Sequence, residues 1–142
     1  MPNGTPDFLV DASYLVALGY PRDRNHTKAK AFAAQHETGL LIPDVVLVEA
    51  RYNLQRLGGI DATVRFSTLL VAESPQFVAL TVTDFTRAVA LMERYRDAEL
   101  DFVDCCLTAL AERLDITRIC TFDRRDFSMI RPNHTDYFEL LP

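Results

Sequence analysis

The chain has 142 residues, a net charge of −5, 49% hydrophobic residues and 25% charged residues. This length suits one domain with a sizeable core, and the composition excludes an intrinsically disordered protein. No apolar run approaches the length of a membrane span, and the first residues lack a basic start or an apolar signal region. We therefore expect a cytoplasmic protein with no membrane partner, whose three cysteines are buried free thiols.

The predicted elements alternate between short apolar strands and helices. Residues 1–7 are a predicted flexible tail, and residues 8–142 a single domain. The first half contains a strand (Phe8–Val10), a helix (Ala12–Tyr20), a helical segment (Arg22–His36) with a C-cap near Gly39, a strand (Leu40–Ile42) and a helix from Pro43 or Asp44 to about Leu57, ended by Gly58 and Gly59. The second half contains a helix (Ile60–Val71), a strand (Phe77–Val82), a helix (Thr83–Tyr95) capped by Thr83 or Asp84, a helix (Asp101–Leu114), a strand (Arg118–Thr121) and a fifth candidate strand (Phe138–Leu141).

This order of elements predicts an α/β fold. Strands that are continuous apolar runs are typical of a parallel sheet with both faces covered. We therefore expect a central, mostly parallel sheet of four or five strands, flanked by helices. In such sheets ligands bind beyond the carboxyl ends of the strands.

Four acids each stand at the end of an apolar run: Asp11, Glu49, Asp104 and Asp123. A carboxylate in apolar surroundings is costly to desolvate unless a cation neutralises it. A set of oxygen ligands suits Mg²⁺, with Mn²⁺ as a substitute. A carboxylate-held Mg²⁺ most often serves phosphate chemistry, so these four residues are the predicted metal ligands and catalytic residues.

Each acid also has a structural interpretation. Asp11 is a favourable N-cap, a duty that Ser13 can share. Glu49 is either a solvated residue of its helix or a half-buried acid that needs a cation. Asp101 suits the N-cap of the following helix, which leaves Asp104 as the predicted ligand and Asp97 as an accessory acid.

The segment around Asp123 offers supporting groups. Thr121, like Ser13, is a predicted hydroxyl that orients a carboxylate or a water. Arg124 and Arg125 are candidate phosphate ligands, and their structural interpretation is that of solvated charges. The chain has 13 Arg against 2 Lys, a preference that suits phosphate binding but that codon bias also explains.

Taken together, five segments resemble the PIN-domain family, and within it the toxins of VapBC-type toxin–antitoxin pairs. The segments are Phe8-Leu-Val-Asp11-Ala-Ser13, Val48-Glu49-Ala50-Arg51, Asp97-Ala-Glu-Leu-Asp-Phe-Val-Asp104, Ala109-Leu-Ala-Glu-Arg-Leu114 and Thr121-Phe-Asp123-Arg-Arg-Asp-Phe127. The resemblance covers nearly the whole chain from residue 8. It implies a compact α/β domain whose acidic Mg²⁺ site is formed by Asp11, Glu49, Asp104 and Asp123, with Asp97 matching an acid found in part of the family.

The same resemblance implies a function. It implies an endoribonuclease toxin that acts on structured RNA such as tRNA or ribosomal RNA, inhibits translation and is neutralised by a cognate antitoxin, and it implies a homodimer. Two alternatives stay open on sequence alone. One is a catalytically weak protein-binding module with the same fold, and the other is a metal-dependent nuclease or phosphatase that acts on DNA or another phosphate ester.

Overall fold

Five short parallel strands lie at the centre of this computed structural model, which describes residues 7–36 and 40–142. They are β1 (Phe8–Val10), β2 (Leu40–Pro43), β3 (Gln76–Val78), β4 (Arg118–Cys120) and β5 (Glu139–Leu141), in the order β3-β2-β1-β4-β5. The predicted α/β class and parallel sheet are confirmed. Apart from Asp7, the predicted tail lies outside the described residues, as does the predicted C-cap at Gly39.

Six α-helices flank the sheet in the described part of the chain: α1 (Ala12–Gly19), α2 (His26–Gln35), α3 (Asp44–Ala72), α4 (Val82–Arg94), α5 (Phe102–Leu114) and α6 (Arg125–Met129). A short 3₁₀ helix (Arg96–Ala98) precedes α5. None of the described helices is both long and apolar enough to cross a bilayer.

The core is formed around the central strand and α5. Every residue of β1 is buried, as expected for a strand with neighbours on both sides and helices on both faces. Eight consecutive residues of α5, from Asp104 to Ala111, are also buried, so this helix is a central helix with little solvent face. Cys105, Cys106 and Cys120 are buried and free, as predicted.

The structure corrects two predicted boundaries near residue 80. The predicted strand Phe77–Val82 is shorter, because α4 begins at Val82 and β3 ends at Val78. The N-cap of α4 is Thr81, not Thr83 or Asp84. Thr81 and Asp84 form a capping box, in which the Thr81 side chain accepts from the Asp84 N–H (3.1 Å) and the Asp84 carboxylate accepts from the Thr81 N–H (2.9 Å).

Three further differences concern helices. The helical segment predicted over Arg22–His36 begins only at His26. The two helices predicted on either side of Gly58-Gly59 form α3, which is broken at Gly59 (φ 76°, ψ −176°), a left-handed φ that favours glycine. Helix α6 was not predicted, because its five residues are too few for a helical pattern to be visible.

Candidate active site

The carboxyl edge of the sheet brings Asp11 into electrostatic range of the other three predicted acids. Asp11 directly follows β1, and Asp123 follows β4 after two intervening residues. Glu49 lies in α3, which begins where β2 ends, and Asp104 lies in the first turn of α5. Burial raises the pKa of both Glu49 and Asp104, and repulsion from the nearby Asp11 adds to the rise.

Asp11 is held by two hydroxyl groups. Its side chain is 4% exposed, and Oδ2 accepts hydrogen bonds from Thr121 Oγ1 at 2.7 Å and from Ser13 Oγ at 3.0 Å. Ser13 Oγ in turn accepts the Phe122 N–H at 2.9 Å. Although Asp11 occupies the N-cap position of α1, its side chain makes no capping hydrogen bond. Burial raises the pKa of Asp11, and the two hydroxyls partly counteract that rise.

Asp104 is a second buried acid, 6% exposed, at the start of α5. Asp101 is the N-cap of this helix, as predicted, because its Oδ1 accepts the N–H groups of Val103 (2.9 Å) and Asp104 (3.4 Å). Burial raises the pKa of Asp104 to about 10, with further contributions from Asp11 and from a hydrogen bond with Asp126. Without a bound cation, Asp104 is therefore protonated at neutral pH.

Asp126 is a site residue that the sequence did not single out. It is buried, and its Oδ2 accepts the Asp101 N–H at 2.8 Å while its Oδ1 accepts from Arg125 at 2.8 Å. It thereby connects α6 to the first turn of α5 and lies in contact with Asp104. The one feature of the sequence that could have pointed to Asp126 is its position directly before Phe127, an apolar residue that is buried in the fold.

Glu49 is half-buried on α3. Burial raises its pKa to about 7, and repulsion from Asp101, Asp11 and Asp123 adds to the rise. A carboxyl group with this pKa changes its charge near neutral pH, which suits proton transfer or pH-dependent metal binding. The structure therefore favours the half-buried acid over the solvated helix residue.

Asp123 and Asp97 are both exposed. The backbone N–H of Asp123 donates to Thr121 Oγ1 at 3.0 Å, which links this acid to the hydroxyl that holds Asp11. Asp97 lies in the 3₁₀ helix and makes no hydrogen bond or ion pair within residues 7–36 and 40–142. Asp123 thus adjoins the buried acids, whereas the structure does not connect Asp97 to them.

The two predicted phosphate ligands have partners within the chain. Arg124 donates to the Pro142 carbonyl at 2.7 Å. Arg125 donates to Asp126 and, at 2.9 Å, to the Ala98 carbonyl. Their role in phosphate binding stays a prediction.

The residues present fit a hard divalent cation. Burial, together with repulsion between the acids, raises the pKa of Asp11, Glu49 and Asp104, an effect that a bound cation would offset, and all the candidate ligands are oxygen atoms. In the parts of the chain that the structure describes, no three His, Cys, Asp or Glu side chains are grouped closely enough to hold one ion. Mg²⁺ commonly takes only one or two carboxylates and keeps several waters, so a pair such as Asp11 and Asp104 suffices.

Comparison with known proteins supports the fold and identifies the family. The family model described as the PIN domain matches residues 8–131. Ribonuclease VapC26 of Mycobacterium tuberculosis is 23% identical over 134 residues, which cover 94% of this chain and 99% of the relative.

Among solved structures, VapC20 of Mycobacterium tuberculosis, described as a Sarcin-Ricin loop cleaving toxin, is 25% identical with a TM-score of 0.79. The match covers 90% of this chain and 98% of that one. A toxin–antitoxin complex from Klebsiella pneumoniae matches with 19% identity, a TM-score of 0.63 and coverage of 86% and 91%. At this identity the second likeness concerns the fold alone.

Proposed function

Because the chain belongs to the PIN-domain family, we propose that it is a metal-dependent endoribonuclease, a hydrolase that cleaves structured RNA such as tRNA or ribosomal RNA and so inhibits translation. The observation that carries this proposal is the group of acids around the buried, hydroxyl-held Asp11. Raised pKa values in a cleft are typical of functional sites, because a chain gains no stability from carboxyls that repel one another.

The similar proteins from Mycobacterium tuberculosis support the substrate class. One is named a ribonuclease and the other a Sarcin-Ricin loop cleaving toxin, and each match spans at least nine-tenths of this chain. The group of acids on a fold shared with these two proteins makes phosphodiester hydrolysis in RNA the best-supported reaction here. This assignment favours an active enzyme over a binding module that has only the fold.

Asp11 and Asp104 would hold Mg²⁺, or Mn²⁺ in its place, with Glu49 and Asp123 reaching the ion through water. The ion would lower the pKa of a bound water and stabilise negative charge on the phosphate. Ser13 and Thr121 fix the orientation of the Asp11 carboxylate by donating to Oδ2. Glu49 is the proposed general base that orients the attacking water and accepts its proton. In-line attack then leaves a 5′-phosphate and a 3′-hydroxyl.

We also propose a cognate antitoxin, a homodimer and a cytoplasmic location. For the antitoxin, the support is the toxin–antitoxin complex from Klebsiella pneumoniae, which shares the fold. For the homodimer, the support is an exposed apolar stripe on α4 that continues onto α5: Val82, Phe85, Val89, Met92 and Phe102. Apolar patches of this kind on soluble proteins mark interaction sites.

Cleavage of purified RNA by the isolated protein tests the enzyme. We expect cuts at a few positions with Mg²⁺ or Mn²⁺, none with EDTA, and none from Asp11→Asn. Asp115→Asn is the matched control, because Asp115 is an exposed acid at the other end of α5, in a left-handed conformation that Asn tolerates. Cleavage of DNA but not RNA would support the DNA nuclease, and absence of both cleavage and metal binding would support the binding module.

A further inference from the structure

Four arginines lack a partner in the described part of the chain. Nine of the 13 arginines make an ion pair, a hydrogen bond or a cation–π contact, for example Arg113 with Asp84 and Arg118 with Glu139. The other four make none of these contacts within residues 7–36 and 40–142, and all four are exposed: Arg22, Arg24, Arg56 and Arg65.

These four residues line two adjoining clefts. The first cleft, of about 300 Å³, is lined by Arg24 and Arg56 and also by Ser13 and Asp123, so it opens beside the acids. The second, of about 380 Å³, is lined by Arg22 and Arg65 and meets the first at Leu57, which lines both. The unpaired positive charge thus begins at the acidic site and continues away from it.

The charge in the clefts favours a polyanion. Among the described residues no acid lines the second cleft, and the first is lined by Asp23 and Asp123. Four arginines thus stand against two acids, so the two clefts together carry a net positive charge. A guanidinium group presents a fork of N–H donors that matches the oxygens of a phosphate. In a chain of net charge −5, unpaired arginines are therefore concentrated where a substrate strand would leave the site.

We propose that the two clefts bind the RNA backbone on one side of the scissile bond, with Arg24 and Arg56 on the phosphates nearest the acids and Arg22 and Arg65 on the next ones. This inference rests on the proposed ribonuclease function. Tyr20 also lines the second cleft, and an aromatic residue beside basic ones is the combination that single-strand binding sites use. RNA is favoured over an acidic protein segment because the first cleft is lined by Asp123 and by Ser13, the hydroxyl that donates to Asp11.

RNA binding by an inactive parent protein tests the clefts separately from catalysis. The parent is Asp11→Asn, and the probe is a fluorescein-labelled stem–loop RNA with a single-stranded tail, measured by fluorescence anisotropy over a range of salt concentrations. Arg56→Ala and Arg65→Ala remove one arginine from each cleft. Arg118→Ala is the matched control, because Arg118 begins β4 and lies outside both clefts.

Each cleft variant should reduce the slope of log Kd against log salt by about 0.7, the value for one phosphate contact of a single strand, and the double variant by about 1.4. The double variant should also bind roughly tenfold more weakly, while Arg118→Ala keeps the parent's affinity and slope. Circular dichroism checks that each variant folds.

Three results would overturn the proposal. They are unchanged slopes in the cleft variants, an equal loss in Arg118→Ala, and a parent that does not bind RNA. Retained RNA binding together with lost antitoxin binding would assign the clefts to the antitoxin. If the proposed ribonuclease function itself is wrong, the unmutated protein will show no metal-dependent cleavage, a result that is separate from the binding measurements.

Discussion

Thr121 Oγ1 donates a 2.7 Å hydrogen bond to Oδ2 of Asp11, and so joins two residues that lie 110 positions apart in the chain. The two residues directly follow β4 and β1, which are paired in parallel at the centre of the sheet. The bond therefore depends on correct strand pairing and places a hydroxyl on the most enclosed carboxylate of the site. It lowers the pKa of Asp11, against the larger effect of burial.

Replacement of this hydroxyl should weaken metal binding without loss of the fold. Thr121→Val keeps the shape and removes the donor, so the Asp11 carboxylate loses both orientation and stabilisation of its charged form. We expect Mg²⁺ affinity and cleavage to fall by about 10–100-fold, the usual effect of removing a group that orients a metal ligand. Calorimetric Mg²⁺ titration measures the change. Thr121→Ser keeps the hydroxyl and should retain most of the Mg²⁺ affinity. Thr86→Val, which removes an exposed hydroxyl on α4, is the control and should have no effect. Equal losses in Thr121→Val and Thr86→Val would contradict the assignment.

Asp104 should make the metal-free protein less stable as the pH rises. Burial raises its folded-state pKa to about 10, far above the ordinary aspartate value of about 4, so above about pH 4 the unfolded chain loses this proton first. The contribution of Asp104 to stability is therefore complete at low pH and declines through the neutral range towards pH 10.

Asp104→Asn removes this titration and should stabilise the metal-free protein at pH 7 by on the order of 2 kcal/mol. Urea unfolding in EDTA at several pH values measures the effect. Added Mg²⁺ should stabilise the unmutated protein and not the variant. An Asp104→Asn protein that is less stable than the unmutated one at every pH would show that the carboxyl is not a strained, protonated acid.

Glu49 should couple metal binding to pH near neutrality. Its pKa is raised to about 7, and a metal ligand must be ionised, so Mg²⁺ affinity should rise as the pH increases through about 7. Glu49→Gln cannot ionise and should bind Mg²⁺ more weakly and with a flatter pH dependence. Titrations at about pH 6 and about pH 8 compare the two proteins. The same pH dependence of Mg²⁺ affinity in both proteins would show that Glu49 does not take part in metal binding.

The sequence alone was sufficient to predict the features that depend on neighbouring residues or on the order of strands along the chain. Asp11 directly follows β1 and Asp123 follows β4 after two intervening residues, and parallel pairing alone brings such positions to one edge. Asp101 was recognised as a cap because a helix start depends on the few residues around it. The family resemblance of the whole chain is confirmed by the match over residues 8–131.

The features that were missed depend on distant contacts or on competing local signals. Asp126 becomes a site residue only because α6 folds against the start of α5, 25 residues earlier, which no local pattern shows. Near residue 80, the apolar run that ends at Val82 resembles a strand, yet Val82 is 83% exposed. The capping box of Thr81 and Asp84 provides hydrogen bonds that an extended chain lacks, so the helix begins there.

The apolar stripe of α4 and α5 should mediate self-association. Phe85 packs edge-to-face on Phe102 at 5.9 Å between ring centroids, so the two helices present one joined surface. A second copy of the chain would bury it, whereas an isolated monomer leaves Val82 and its neighbours in water at a cost of roughly 25 cal/mol per Å² of apolar area. A charge placed within this interface would have to be desolvated.

Val89→Glu should therefore convert a dimer into a monomer, measured by light scattering after size-exclusion chromatography. Val71→Glu is the matched control, because Val71 is exposed near the end of α3 and carries the same change in size and charge outside the stripe. A monomeric unmutated protein, or the same mass for both variants, would contradict this interface. Phe102 lies two residues before Asp104, so loss of the dimer should also expose the first turn of α5 and reduce cleavage in Val89→Glu relative to Val71→Glu.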